Sequence, residues 1–203
     1  VQSAKMAALR TQSANNLKQI MIALHSYETA NGHLPSTGFR DPKSGMERSW
    51  RVEILPYLNR QDLYDLYHKD EPWDSVANQE VLKKMPTLFA FPGTVGTDTP
   101  YLAVSSPDGG LTLSKEGKAP RFQDATDGLN GTVFVVETKP MVPWTKPVDA
   151  ADIEAVRNTP IHNGLGFHVG LGDGSVVFVA GSIDPLVWKA ITTRSGGEMS
   201  TSK

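Results

Sequence analysis

The chain has 203 residues, no cysteine, 21% charged residues and a formal net charge of -2. That length fits one domain with room for a buried core. The missing thiols exclude disulfides, cysteine nucleophiles and cysteine-ligated zinc, and the near-neutral charge gives no basic face for nucleic acid. No basic run exceeds Lys83-Lys84 and no apolar run reaches the roughly 18 residues of a membrane span, so the residues present predict neither a polybasic membrane patch nor a transmembrane helix.

From the start of the chain, Met6, Leu9, Leu17, Ile20, Met21, Leu24 and Tyr27 recur in steps of three and four. This spacing predicts one long helix over residues 1–31 with a single apolar face. Asn31-Gly32 supplies the left-handed stop, and Pro35 follows. The chain opens inside this helical pattern, without an initiator Met or a signal-peptide pattern, and a segment removed from upstream of Val1 is expected.

A loop-like stretch runs to Met46. Residues 51–86 then read as a helical insertion: an apolar turn or short strand at SWRVEIL, a short helix opening at Pro56, and another over Asn78 to Lys84. Residues 101–181 read as mainly β, because YLAVS, TVFVVET and SVVFVAG are β-branched or aromatic runs bounded by turn residues. A last helix over residues 184–193 takes Asp184 as N-cap and Pro185 at its first position, before a polar tail. Helices lead and strands follow, so the expected fold is α+β in a single domain over residues 1–203, with the long helix packed on an antiparallel sheet.

Several constellations invite a chemical reading. His162, His168 and Asp173 form a two-histidine, one-carboxylate set within the glycine-rich run HNGLGFHVGLGDGSVVFV. The preferred alternative is a β-hairpin over Gly166 to Gly181. Asp173-Gly174 would then form a type I′ turn, Val176 and Phe178 would point to the core, and His168 would face away from Phe167 and Val169. Under that reading the chain carries no metal and no cofactor, and His162 bonds to a neighbouring loop. Asp124 and Asp127, near Asn130 on a glycine-containing loop, offer oxygens for Ca²⁺, but their spacing is not that of an EF-hand, and plain turns are preferred. Trp144, with Trp50, Trp73 and Trp188, could floor a sugar or peptide groove, although core packing is the commoner use of a scattered tryptophan. No Gly-x-Ser-x-Gly elbow, Walker loop or dinucleotide fingerprint is present.

The segments SANNLKQIMIALHSYETANGHLPS, SWRVEILPYL, LYDLY, TDGLNGTVFVVE, PWTKP, DGSVVFV and TTRSGGE occur in this order. Together they resemble the domain-of-unknown-function 1559 family of planctomycetes, also labelled solute-binding-like, over nearly the whole chain. The resemblance implies a fold like that of pilins and pseudopilins, in which an apolar, membrane-anchored half-helix leads into the segment matching Val1 to Leu24. It also implies a C-terminal signature of a His, nine residues and Asp-Gly. His162 is its counterpart, although ten residues separate it from Asp173. Ser13 and Ala90 stand where relatives often carry cysteine.

The expected function is therefore a non-catalytic, extracytoplasmic structural subunit, periplasmic or on the cell surface. Its anchor lies upstream of Val1, and its partners are other pilin-like subunits engaged through the N-terminal helix. The alternative is a binding module for a small solute, a glycan or Ca²⁺, using His162, His168, Asp173, Asp124, Asp127 or Trp144.

Overall fold

The computed structural model describes residues 2–196 and places four strands in one antiparallel sheet of order β1-β2-β3-β4. They are β1 (Asp98–Ala103), β2 (Val133–Pro143), β3 (Gly166–Leu171) and β4 (Val176–Ala180). Helix α1 (Gln2–Asn31) lies on one face. The fold is the expected α+β arrangement, a long N-terminal helix on an antiparallel sheet with short helical insertions. Val1 and the tail beyond Gly196 lie outside the described residues.

Helix α1 is buried through Ser13, Asn16, Leu17, Ile20, Met21, Ala23 and Leu24, the i, i+3, i+4 set of one face. Gly170 of β3 permits this approach, since a β-carbon there would lie 2.6 Å from the Met21 sulfur. Met6 and Leu9, which share the predicted stripe, are only half-buried, because the helix leaves the sheet before its first three turns.

Three short helices follow: α2 (Trp50–Glu53), α3 (Gln61–Leu66) and α4 (Val76–Leu82). Where an apolar turn or strand was expected at SWRVEIL, Ser49 caps a helix by accepting the Arg51 N–H at 3.3 Å. Pro56 opens a 3-10 turn, Leu55–Leu58, as its missing N–H allows. Ser75 caps α4, which starts two residues earlier than the apolar pattern suggests. Arg51 is fully buried and holds this insertion to the sheet. It donates to Asp149 Oδ1 at 2.9 Å, to the Trp144 carbonyl at 2.9 Å and to the Lys146 carbonyl at 2.7 Å.

The other face of the sheet carries a second apolar core that includes Val136, Phe167, Val169 and Trp188. Helix α5 (Ile153–Asn158), absent from the sequence reading, and α6 (Pro185–Ile191) contribute Val156 and Trp188 to it. Asp184 accepts the Leu186 and Val187 N–H groups, as an N-cap should. The molecule is thus layered helix, sheet, helix rather than helix on sheet alone.

The β3–β4 hairpin forms in the predicted place, with Gly170 opposite Val176 and His168 opposite Phe178. Its turn differs from the type I′ expectation. The Gly174 N–H bonds to the Leu171 carbonyl at 2.9 Å, the Leu171 N–H bonds to the Ser175 carbonyl at 2.9 Å, and Gly174, but not Asp173, has positive φ (82°). This is a three-residue connection, a turn followed by a left-handed glycine. Asp173 steadies it by accepting the Ser175 N–H at 2.8 Å and hydroxyl at 2.6 Å. Phe178 does not reach the core and stays 39% exposed, because β4 is the edge strand and α1 packs mainly over β3.

Two outcomes follow from this packing. Leu24→Ala should lower unfolding free energy by about 2–5 kcal/mol, read by urea denaturation, since the site is fully enclosed. Gly174→Val should cost about 1–3 kcal/mol through its forced left-handed backbone. Asp173→Asn keeps an acceptor oxygen and should stay within about 0.5 kcal/mol of the parent in the same assay.

Candidate functional site

The α1-facing side of the sheet carries a polar row amid apolar residues. Tyr101 of β1 is opposite Glu137 of β2, and His168 of β3 is opposite Phe178 of β4. The pairing of Val136 with Val169 sets Glu137 beside His168. Strands β1, β2 and β3 therefore supply one polar member each, Phe178 of β4 closes the row, and α1 lowers Ser13 onto it from above.

His162 joins from outside the sheet. After α5 the chain reverses over residues 162–165, where Asn163 (φ 53°) and Gly164 (φ 77°) both take the left-handed region. Two positive φ values mark the primed kind of turn and suit Asn-Gly, so the primed geometry expected of Asp173-Gly174 occurs here instead. The Leu165 N–H closes the turn on the His162 carbonyl at 2.9 Å, and the His162 N–H bonds to the Gly166 carbonyl at 3.0 Å. The imidazole is thereby folded back over β3. It meets a carboxylate and a second imidazole, not the neighbouring loop expected from the sequence.

Glu137 has no exposed surface, and His162 and His168 are 4% and 6% exposed. Glu137 Oε2 lies 2.8 Å from His162 Nε2 and 2.9 Å from His168 Nδ1, and it accepts the His168 backbone N–H at 2.7 Å. The two ring nitrogens are 3.2 Å apart. Ser13 donates its hydroxyl to Glu137 Oε1 and contacts the Tyr101 hydroxyl at 2.8 Å. Burial by itself would raise the Glu137 carboxyl, but the bonds from His162 and His168 outweigh it and hold it down to about 2. Burial, reinforced by the Glu137 charge, pushes the Tyr101 phenol up. Phe91 and Phe178 wall the imidazoles, with ring centroids 5.4 and 5.8 Å from His162.

The site resembles parts of a hydrolase triad without its connectivity. Ser13 bonds to the carboxylate and not to an imidazole, so the Ser-His-acid order of that triad is not made. A cavity of about 560 Å³ opens beside the cluster, between Gln2, Met6 and Arg10 of α1 and the His162, Asn163 and Leu165 turn.

The structure brings His162 and His168 together but separates them from Asp173, whose carboxylate is engaged by Ser175 in the hairpin turn. Glu137 takes that place. Among the described residues, these three form a set of potential metal donors lying within 4.8 Å of one another. Sequence reasoning passed over Glu137, although a carboxylate closing the apolar strand VFVV was a signal, because a buried acid needs partners. Asp124 accepts the backbone N–H of Arg121 at 2.8 Å and closes a small cap. Asp127 bonds through its N–H to the Arg194 carbonyl. Trp144 is fully buried, stacks on Phe89 at 5.6 Å and donates to the Leu82 carbonyl, so it is core and offers no sugar platform.

Residues 2–92 match the family model SBP_bac_10, described as a protein of unknown function (DUF1559). No curated protein and no solved structure matches the chain. The matched segment contains Ser13 and ends before β1, so Glu137, His162 and His168 lie outside it.

Removing the carboxylate should be felt at once. Glu137→Leu leaves the buried His168 N–H without an acceptor and should destabilise the fold by at least about 1–3 kcal/mol. Ser13→Ala, which removes one donor to Oε1, should have a smaller effect in the same denaturation series.

Proposed function

We propose, from the match of residues 2–92 to the DUF1559 family model, that the chain is a non-catalytic, extracytoplasmic structural subunit of a pilin-like assembly, at the cell surface or in the periplasm. In that assembly α1 is the contact between subunits. The observation that carries this reading is the uneven burial of α1. Its middle turns are locked to the sheet from Ser13 to Leu24, whereas Gln2 to Gln12 are exposed or half-buried.

That free stretch is about 16 Å of helix at 1.5 Å per residue. Isolated helices shorter than about 12–15 residues are marginal in water, so its order depends on continuity with the buried turns and on neighbours that cover it. Its Ala4, Ala7 and Ala8 share one face and give a small-residue surface suited to close helix packing. No helix among the described residues is long and apolar enough to cross a membrane. Ser13 has no exposed surface, which supports the non-catalytic part, because a nucleophile must be reached by its substrate.

A second reading, a binding module for a small solute, rests on the cavity of about 560 Å³ beside His162. The Ca²⁺ and glycan versions lose support, since Asp124 is tied to Arg121 and Trp144 is enclosed.

The chain contains no cysteine, so single cysteines report contacts cleanly. In cells making the full-length protein, Ala8→Cys should give cross-linked dimers and higher species with a short bis-maleimide, whereas Val95→Cys, exposed on the head, should not. Monomer alone from both variants would sink the assembly reading. Stabilisation of such a monomer by a small solute in a thermal-shift screen would favour the second one.

A further inference from the structure

Glu137 Oε2, His162 Nε2 and His168 Nδ1 form a triangle with edges of 2.8, 2.9 and 3.2 Å. Three atoms bound to one tetrahedral ion at about 2.0–2.1 Å stand about 3.3 Å apart, so each edge needs to open by no more than about half an ångström. We infer that Glu137, His162 and His168 are the protein ligands of a divalent transition-metal ion of the zinc type.

Proton accounting favours an ion over a purely hydrogen-bonded cluster. Oε2 already accepts the His168 backbone N–H at 2.7 Å, and two ring nitrogens converge on the same oxygen. If both carry protons, those protons crowd one acceptor and each other across 3.2 Å. If either lacks one, its lone pair faces the carboxylate. A dication accepts all three lone pairs and neutralises the buried charge.

The donor types set the class. Two neutral imidazoles and one carboxylate suit zinc and its neighbours, whereas Mg²⁺ and Ca²⁺ take oxygen sets. The surroundings are those of a built site. Ser13 bonds to Oε1 and so turns Oε2 toward the rings, the outer-sphere support that ligating carboxylates usually have. Glu137 and His168 sit on adjacent central strands, and Phe91 and Phe178 exclude water from the rings. His162 also lines the cavity beneath the first turns of α1, which gives an ion a route from solvent.

The test uses the 203-residue chain, treated with a chelator and then titrated separately with Zn²⁺ and Co²⁺. One equivalent should bind, Tm should rise with free Zn²⁺, and Co²⁺ should give the intense visible bands of a low-coordinate site. Ser13→Ala should weaken binding about 10–100-fold, the effect typical of losing an outer-sphere partner. His162→Ala and Glu137→Gln should weaken it further. Because those variants can also disturb folding, the deciding measurement is made on the parent chain. On adding Zn²⁺, the ¹⁵N signals of the His162 and His168 rings should move by the amount direct coordination produces, while those of His25, His33 and His68 stay in place. Failure of the parent chain to take up Zn²⁺ in molar excess would overturn the site. Uptake with ring shifts confined to His25, His33 or His68 would overturn it equally.

Discussion

A carboxylate with no exposed surface, Glu137, sits where the sheet meets the helix. Much of the surrounding geometry follows from giving that charge partners. An uncompensated buried ion costs several kcal/mol, so its donors must be delivered from every side. Ser13 on α1 and the His168 backbone on β3 donate to it, and the rings of His168 and of His162, on the turn that precedes β3, close around it. Meeting this demand also fixes the rotation of α1. With Ser13 pointing at Glu137, helical periodicity sends Asn16, Leu17, Ile20 and Leu24 to the same face. Gly170, two residues beyond His168 and on the same side of β3, then makes room for Met21. The polar anchor sets the angle at which the apolar contacts engage.

A second buried ion pair organises the part of the chain that the sheet does not reach. Arg51 and Asp149 are both enclosed, and Asp149 Oδ1 also accepts from the Trp50 indole at 2.8 Å and the Ala103 N–H at 2.9 Å. Burial raises the Asp149 carboxyl and lowers the Arg51 guanidinium, while their mutual attraction works against both shifts. Such pairs contribute little net stability compared with apolar replacements, and their best-attested use is to select one arrangement. Here that arrangement joins helix α2, the edge strand β1 and the loop of Trp144 to Asp149 at one point. The helical insertion is held by directional bonds as well as by apolar contact.

The elements that were legible in the sequence are those whose periodicity is local. The steps from Leu17 to Leu24 predicted the buried face of α1, and Asp184-Pro185 marked the start of α6. The β-branched runs located β2 and β4 within a few residues. What escaped notice depends on contacts between distant residues. The SWRVEIL segment is too short for its period to separate helix from strand, and its cap at Ser49 decided the matter. Helix α5 is a six-residue element stabilised by the second core, which no local pattern announces. The histidine pair was visible as a motif, yet Asp173 was the nearer carboxylate in sequence and Glu137 the nearer in space. Strand pairing brings Glu137 to His168 across 31 positions, and spacing along the chain carries no trace of that.

The cluster lies at the boundary between the locked and the free parts of α1. Ser13 is the first buried residue of the helix, and one turn earlier the Arg10 guanidinium lies 5.0 Å from the Phe178 ring that walls both imidazoles. The cavity leading to His162 has the exposed turns of α1 as its other wall. A subunit laid against residues 2–10 would therefore lie over the same opening through which an ion or small solute reaches the histidines. In the proposed assembly, packing through α1 would thus compete with access to the histidines for one surface. The place of that surface follows from where the helix departs from the sheet, and Ser13 marks that point by its bond to the buried carboxylate of Glu137.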